Sequence, residues 1–122
     1  MKNSLVIFGA GYGFHMLNHA QWLNDAPIYY WGDIDTHGFV ILNQLRQQFP
    51  NVMSLLMDEK TLITHKSYWG HEAQQQIAEL ALLTANERDV YYKLCRHTFK
   101  RNLRLEQELI AFDFLLATLK SL

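Results

Sequence analysis

Apolar positions come in short blocks separated by polar punctuation, and their spacing changes along the chain. Leu5–Phe8 ("LVIF") is an uninterrupted β-prone run closed by "GAGYG" at 9–13. A strand with no polar face suits the middle of a parallel sheet. Phe14–Leu23 switches to helical spacing, with Phe14, Leu17 and Ala20 on one side, and Asn24–Pro27 breaks it. Ile28–Trp31 is a second strand. Phe39–Phe49 is a second helix, with Phe39, Leu42, Leu45 and Phe49 on one face, stopped by Pro50 and Asn51. Val52–Met57 is a third strand. The order β-α-β-α-β predicts an α/β fold with a parallel sheet and right-handed crossovers.

The rhythm then changes. Asp58–His65 reads as a short helix capped by Asp58, and Tyr68–Ala73 as a loop. Thr84 and Glu87 form a capping box opening a helix to about His97. Asn102 is expected to cap a last helix running to about Leu119. Apolar residues lie on more than one side of it, which implies burial against more than one neighbour. No repeat or linker divides the 122 residues, so one domain is expected.

Composition adds limits. At 49% hydrophobic and 19% charged, the chain is globular rather than disordered. Cys95 is the single cysteine, which excludes an internal disulfide and fits a reducing compartment; it reads as a small buried hydrophobe. The apolar runs are far short of the ~20 residues that span a bilayer, and Met1–Phe8 is too short for a signal peptide. A cytoplasmic location with no membrane partner is expected. Net charge is −1, yet Lys93, Arg96, Lys100, Arg101 and Arg104 follow one another with His97 among them and no acid between. That run is either a solvated helix face or a phosphate-binding patch.

The chemistry concentrates in "YWGDIDTHGF", residues 30–39. Asp33 and Asp35 stand at the carboxyl end of a predicted parallel strand, where ligands of such sheets bind. Residues i and i+2 of an extended chain point to one side. Two adjacent carboxylates repel unless a cation or proton relieves them, and hard cations such as Mg2+ favour all-oxygen ligands. Gly38 lets the next helix start close to an ion or phosphate, and His37 can contact phosphate or orient a water. Helix capping by either aspartate is the plainer alternative. Trp31 supports this turn from below. Gly9, Gly11 and Gly13 offer a competing site: a nucleotide-binding loop, with Asp33 on a ribose. The dinucleotide fingerprint requires glycine at position 14, where Phe14 stands, so the pattern is a GxGxG.

The acidic segment "YYWGDIDTHGFVILNQLR" resembles the Asp-x-Asp segment of Toprim domains, the metal-binding module of topoisomerases, primases and several nucleases. It is closer to the type IIB topoisomerase A subunit group, with Thr36 in the place of that group's proline. Together with "LVIFGAGYGF", "SLLMDEKTL" and "LRLEQELI", from Leu5 to Ile110, it is similar to the C-terminal region of the JetD nuclease-subunit family of Wadjet systems. The resemblance implies a Toprim, Rossmann-like fold and hydrolytic DNA cleavage with Mg2+ or Mn2+. It makes Asp33 and Asp35 catalytic metal ligands. Position along the chain, not the resemblance, adds Glu106 as a third catalytic ligand candidate and Glu108 as a further ligand candidate, because a carboxylate on an otherwise apolar stripe needs a partner. Glu106 shares a predicted apolar stripe with Ile110 and Phe114, and Glu108 one with Phe112 and Leu115. Acids near a helix start, or an Arg104–Glu108 pair, account for both without a metal. His37, Lys93, Arg96, Lys100, Arg101 and Arg104 would contact DNA. The implied partners are DNA, the SMC-like subunits of a Wadjet system and a second copy of the chain. Toprim domains carry a further glutamate on their opening strand. No glutamate precedes Glu59 here, so the chain is expected to begin after that strand and after the family's N-terminal DNA-binding region. A non-catalytic docking domain, or a nucleotide-binding module using Gly9–Gly13, are the alternatives.

Overall fold

The computed structural model describes residues 5–8, 27–110 and 112–120. The expected helix at 14–23 and the glycine loop at 9–13 lie outside the described residues. The described strands β1 (Leu5–Phe8), β2 (Ile28–Trp31) and β3 (Val52–Ser54) form a parallel sheet with β2 in the centre. Leu5 pairs with Ile28, and Ile28 with Val52, so the three carboxyl ends share one edge. Every residue of β2 is buried, as a continuous apolar run in a central strand requires.

Helix α1 (Thr36–Gln48) starts three residues before the apolar stripe because Asp35 caps it. Phe39, Leu42 and Leu45 are fully buried, and Asn43 and Arg46 are nearly so. Polar burial on α1 is matched by partners. Arg46 donates to the Val52 carbonyl at 2.9 Å, to the Leu82 carbonyl at 3.0 Å, and to both carboxylate oxygens of Glu87. Glu87 lies in α3 (Ala85–Cys95), whose Thr84–Glu87 capping box forms as predicted. One carboxylate therefore ends a helix and ties α3 to α1 and β3. Burial alone would raise the Glu87 carboxyl, but the hydrogen bonds from Arg46, Ser54 and Thr84 outweigh it and hold it low.

Helix α2 (Glu59–Thr64) is capped by Asp58, whose side chain accepts from Thr61 N at 2.8 Å. β3 stops at Ser54, three residues short of the predicted end, because Leu56 takes a left-handed φ of 59°. The predicted loop 68–73 contains a strand, β4 (Gly70–His71), paired antiparallel with β5 (Leu103–Arg104).

The predicted helix from Asn102 to Leu119 is replaced by three pieces: β5, a single 3-10 turn at Gln107–Leu109, and helix α4 (Phe112–Lys120). Leu103 and Leu105 are fully buried while Arg104 and Glu106 are not, which is strand alternation. Asn102 does not cap a helix; its φ of 50° turns the chain into β5. Leu115 of α4 is buried and Phe114 packs edge-on against His65, while Asp113, Ala117 and Lys120 are exposed. The helix thus keeps one exposed side, while Leu115, Phe114 and Leu119 pack toward the core. Cys95 is half-buried rather than buried, and burial pushes its thiol up.

Candidate metal centre

Beyond Trp31 the chain stays extended. Ile34 and Leu105 form an antiparallel bridge, with Ile34 N donating to Leu105 O at 2.9 Å and Leu105 N to Ile34 O at 3.1 Å. Glu72 N donates to Asn102 O at 2.8 Å, continuing the β4–β5 ladder. Residues 33–36, 70–72 and 102–107 are thereby laid side by side at the carboxyl edge of β2.

Asp35 is 1% exposed. Its Oδ1 accepts from Gly38 N at 2.6 Å, the cap of α1, and its Oδ2 accepts from Arg104 Nε at 2.7 Å. Gly38 is required here, because a Cβ would overlap the Asp33 carbonyl oxygen. Capping, the plainer of the two readings of this aspartate, is therefore present whatever else Asp35 does.

Glu72 is 0% exposed and sits at the same helix end. Its Oε2 accepts from Thr36 N at 2.9 Å; its Oε1 accepts from Thr36 Oγ1 at 2.6 Å and lies 2.8 Å from His37 Nδ1. The first two residues of α1 are thus held by one buried carboxylate, favourably placed at the positive end of the helix. Those amides are spoken for, so the phosphate contact that Gly38 suggested is filled by two acids of the chain itself. Sequence reading missed Glu72. Its neighbours His71 and Ala73 are both exposed, and nothing local separates it from a solvated loop acid.

Asp33 is partly buried, and its Oδ1 accepts from Gln107 N at 2.8 Å. Burial raises its carboxyl above the ordinary range. The Gln107 amide and Arg104 oppose that rise, while the charges of Asp35 and Glu106 add to it. Glu106 is therefore near Asp33, although it lies on extended backbone just before the 3-10 turn and not on a helix stripe. Glu108 is exposed within the 3-10 turn.

The basic run does not form one face. α3 ends at Cys95, and His97 turns back with a φ of 59°. Lys93 pairs with Glu59 at 2.8 Å and Asp89 at 3.1 Å, Arg96 lies over the Tyr92 ring, and Arg104 is turned to Asp35 rather than to Glu108. Lys100 and Arg101 are exposed in the connecting turn.

Electrostatically, Arg104 feels the charges of Asp35, Asp33 and Glu72, and Glu106 adds its charge beside Asp33. Burial alone would lower Arg104, but the Asp35 hydrogen bond and the charges of Asp35, Asp33 and Glu72 hold it above its ordinary value. Among the described residues, the His and acid side chains whose ligand atoms converge are Asp35, His37 and Glu72, all within 4.8 Å of one another. A carboxylate offers about four lone-pair sites. Asp33 uses one and Asp35 two, so oxygen capacity remains for a cation, and the excess of negative charge favours one. The donor set fits a divalent ion. Beside it lies a cavity of about 240 Å3 lined by Tyr68, Gly70, His71, Arg104, Glu106 and Leu109.

Among the described residues, no helix is long and apolar enough to cross a membrane. No curated protein matches the chain. The family model for the C-terminal region of the Wadjet protein JetD matches residues 1–119, and the chain belongs to that family.

Proposed function

We propose that the chain is the metal-dependent DNA-cleaving part of a Wadjet plasmid-defence system, a Toprim-like domain that hydrolyses phosphodiesters. The observation that carries this reading is the gathering of Asp33, Asp35 and Glu72 near Arg104, with Glu106 beside Asp33, at the carboxyl edge of a parallel sheet. Asp33 and Asp35, with Glu106 beside Asp33, would hold Mg2+ or Mn2+, which supplies Lewis-acid stabilisation of the phosphate and a hydroxide at neutral pH. Arg104 lines the cavity and is 31% exposed, so its guanidinium reaches a phosphate oxygen there while still steering Asp35. Lys100 and Arg101 extend positive charge along the path of the DNA backbone. Glu108, exposed, serves as an outer ligand, and His37 faces the same site. SMC-like Wadjet subunits and a second copy of the chain are the partners of this reading, in the cytoplasm.

A second reading, a docking domain without catalysis, is favoured by one observation: Arg104 already supplies a cation to Asp35.

The experiment is thermal unfolding of the chain with increasing Mg2+ or Mn2+, beside nicking of supercoiled plasmid. The wild type should gain stability, about 2.7 kcal/mol at a hundredfold excess over Kd, and Asp33→Ala should gain clearly less. An equal response of both proteins removes Asp33 from the metal site and with it this reading. Stabilisation without nicking selects the docking reading.

A further inference from the structure

We propose that Asp35, His37 and Glu72 form a mixed oxygen–nitrogen site for one divalent transition-metal ion, with His37 as its nitrogen ligand. The proposal rests on the reading that the chain binds a divalent metal, and it adds a histidine and a glutamate that the acidic motif does not contain.

Geometry is the first support. The ligand atoms of the three side chains lie within 4.8 Å of one another, and His37 Nδ1 is 2.8 Å from Glu72 Oε1. Neighbouring ligands of a six-coordinate ion with bonds of about 2.1 Å are about 3 Å apart. The hydrogen-bonded pair already has the spacing of one edge of such a shell. Occupation replaces the proton between them: the neutral imidazole carries its hydrogen on Nε2 and turns the Nδ1 lone pair to the ion.

Burial is the second. Asp35 and Glu72 are 1% and 0% exposed, and Arg104 bonds Asp35 while only its longer-range charge reaches Glu72. Two buried carboxylates against one cation leave a negative charge that costs free energy unless balanced. Both are fixed before any ion arrives, Asp35 by Gly38 N and Arg104, Glu72 by Thr36. The third ligand is different: the His37 side chain is 35% exposed. The ion is therefore walled by protein on the carboxylate side and open on the imidazole side, where water or a phosphate oxygen can enter. An imidazole nitrogen in the set favours Mn2+, Co2+ or Zn2+ over Mg2+, which prefers oxygen alone.

The rival account is that His37 is simply an imidazolium paired with Glu72. Pulsed EPR of Mn2+ added to the full chain separates the two, because a coordinated imidazole imprints 14N modulation on the manganese signal. Kd is read from the loss of the free Mn2+ signal, and folding from circular dichroism. The wild type should show the modulation. His37→Gln should lose it, and both His37→Gln and Glu72→Gln should bind Mn2+ at least about tenfold more weakly. If Glu72→Gln fails to fold, His37→Gln decides alone. Bound Mn2+ without nitrogen modulation, or modulation that survives in His37→Gln, overturns this site and leaves metal binding by Asp33 and Asp35 standing. Absence of Mn2+ binding by the folded wild type overturns both.

Discussion

Arg104→Met tests whether the guanidinium is the counter-ion of the buried Asp35. Methionine keeps most of the apolar stem and removes the charge. In the wild type Arg104 Nε donates to Asp35 Oδ2 at 2.7 Å, and the carboxylate is 1% exposed. Breaking a fully buried ion pair costs about 3–5 kcal/mol, because one charge is left alone. Arg104 is 31% exposed, so solvent already screens the pair and the full cost does not apply. A hydrogen bond to a charged group contributes about 1.5–3 kcal/mol, which puts the loss near 2 kcal/mol. For a chain of this length that is a fall in Tm of roughly 6–12 °C. The assay is thermal unfolding at pH 7, without metal and then with Mn2+. The variant should lose about 2 kcal/mol without the ion and recover more of it than the wild type gains, since the ion takes over the neutralisation of Asp35. A loss under about 0.5 kcal/mol, or an equal metal increment in both proteins, refutes the counter-ion role.

Two further outcomes follow from the same geometry. Gly38→Ala pushes a methyl group into the Asp33 carbonyl; urea unfolding should show a loss of about 1–3 kcal/mol, and the stabilisation by Mn2+ should shrink with it. The Glu87 carboxyl is held below its ordinary value by Arg46, Ser54 and Thr84 N, against the effect of burial. Its contribution to stability is therefore complete above the unfolded pKa near 4.5 and is lost as pH falls through the lower folded value. Glu87→Gln should cost about 3 kcal/mol at pH 7 and flatten the decline of unfolding free energy between pH 5 and pH 2; parallel acid limbs in the two proteins would contradict this.

The elements that sequence alone predicted well are those whose signal is local. β2 is a four-residue apolar run and became a buried central strand. α1 carries its stripe at helical spacing, and the Thr84–Glu87 box closed as written. Asp58 capped α2 because capping needs only a side chain and an amide three residues on. The stretch from Asn102 was misread because its acids and leucines satisfy a helical stripe as well as a strand. The alternation Leu103, Arg104, Leu105, Glu106 was available and pointed to the strand.

For the candidate site, the chain's own order supplied Asp33, Asp35 and His37, which lie within five residues, and it supplied the family resemblance that gave them a meaning. It did not supply Glu72 or the partnership of Arg104 with Asp35. Those residues are 37 and 69 positions from Asp35, and they reach it only because β4 pairs with β5 and Leu105 bridges Ile34. Nor did it separate the basic residues facing solvent from those already paired, since Lys93 finds Glu59 across the fold. Sequence determined what short-range hydrogen bonds and hydrophobic periodicity can specify. Tertiary structure decided which charges meet, because a carboxylate gains a partner only where distant backbone pairing brings one within bonding distance and keeps water out.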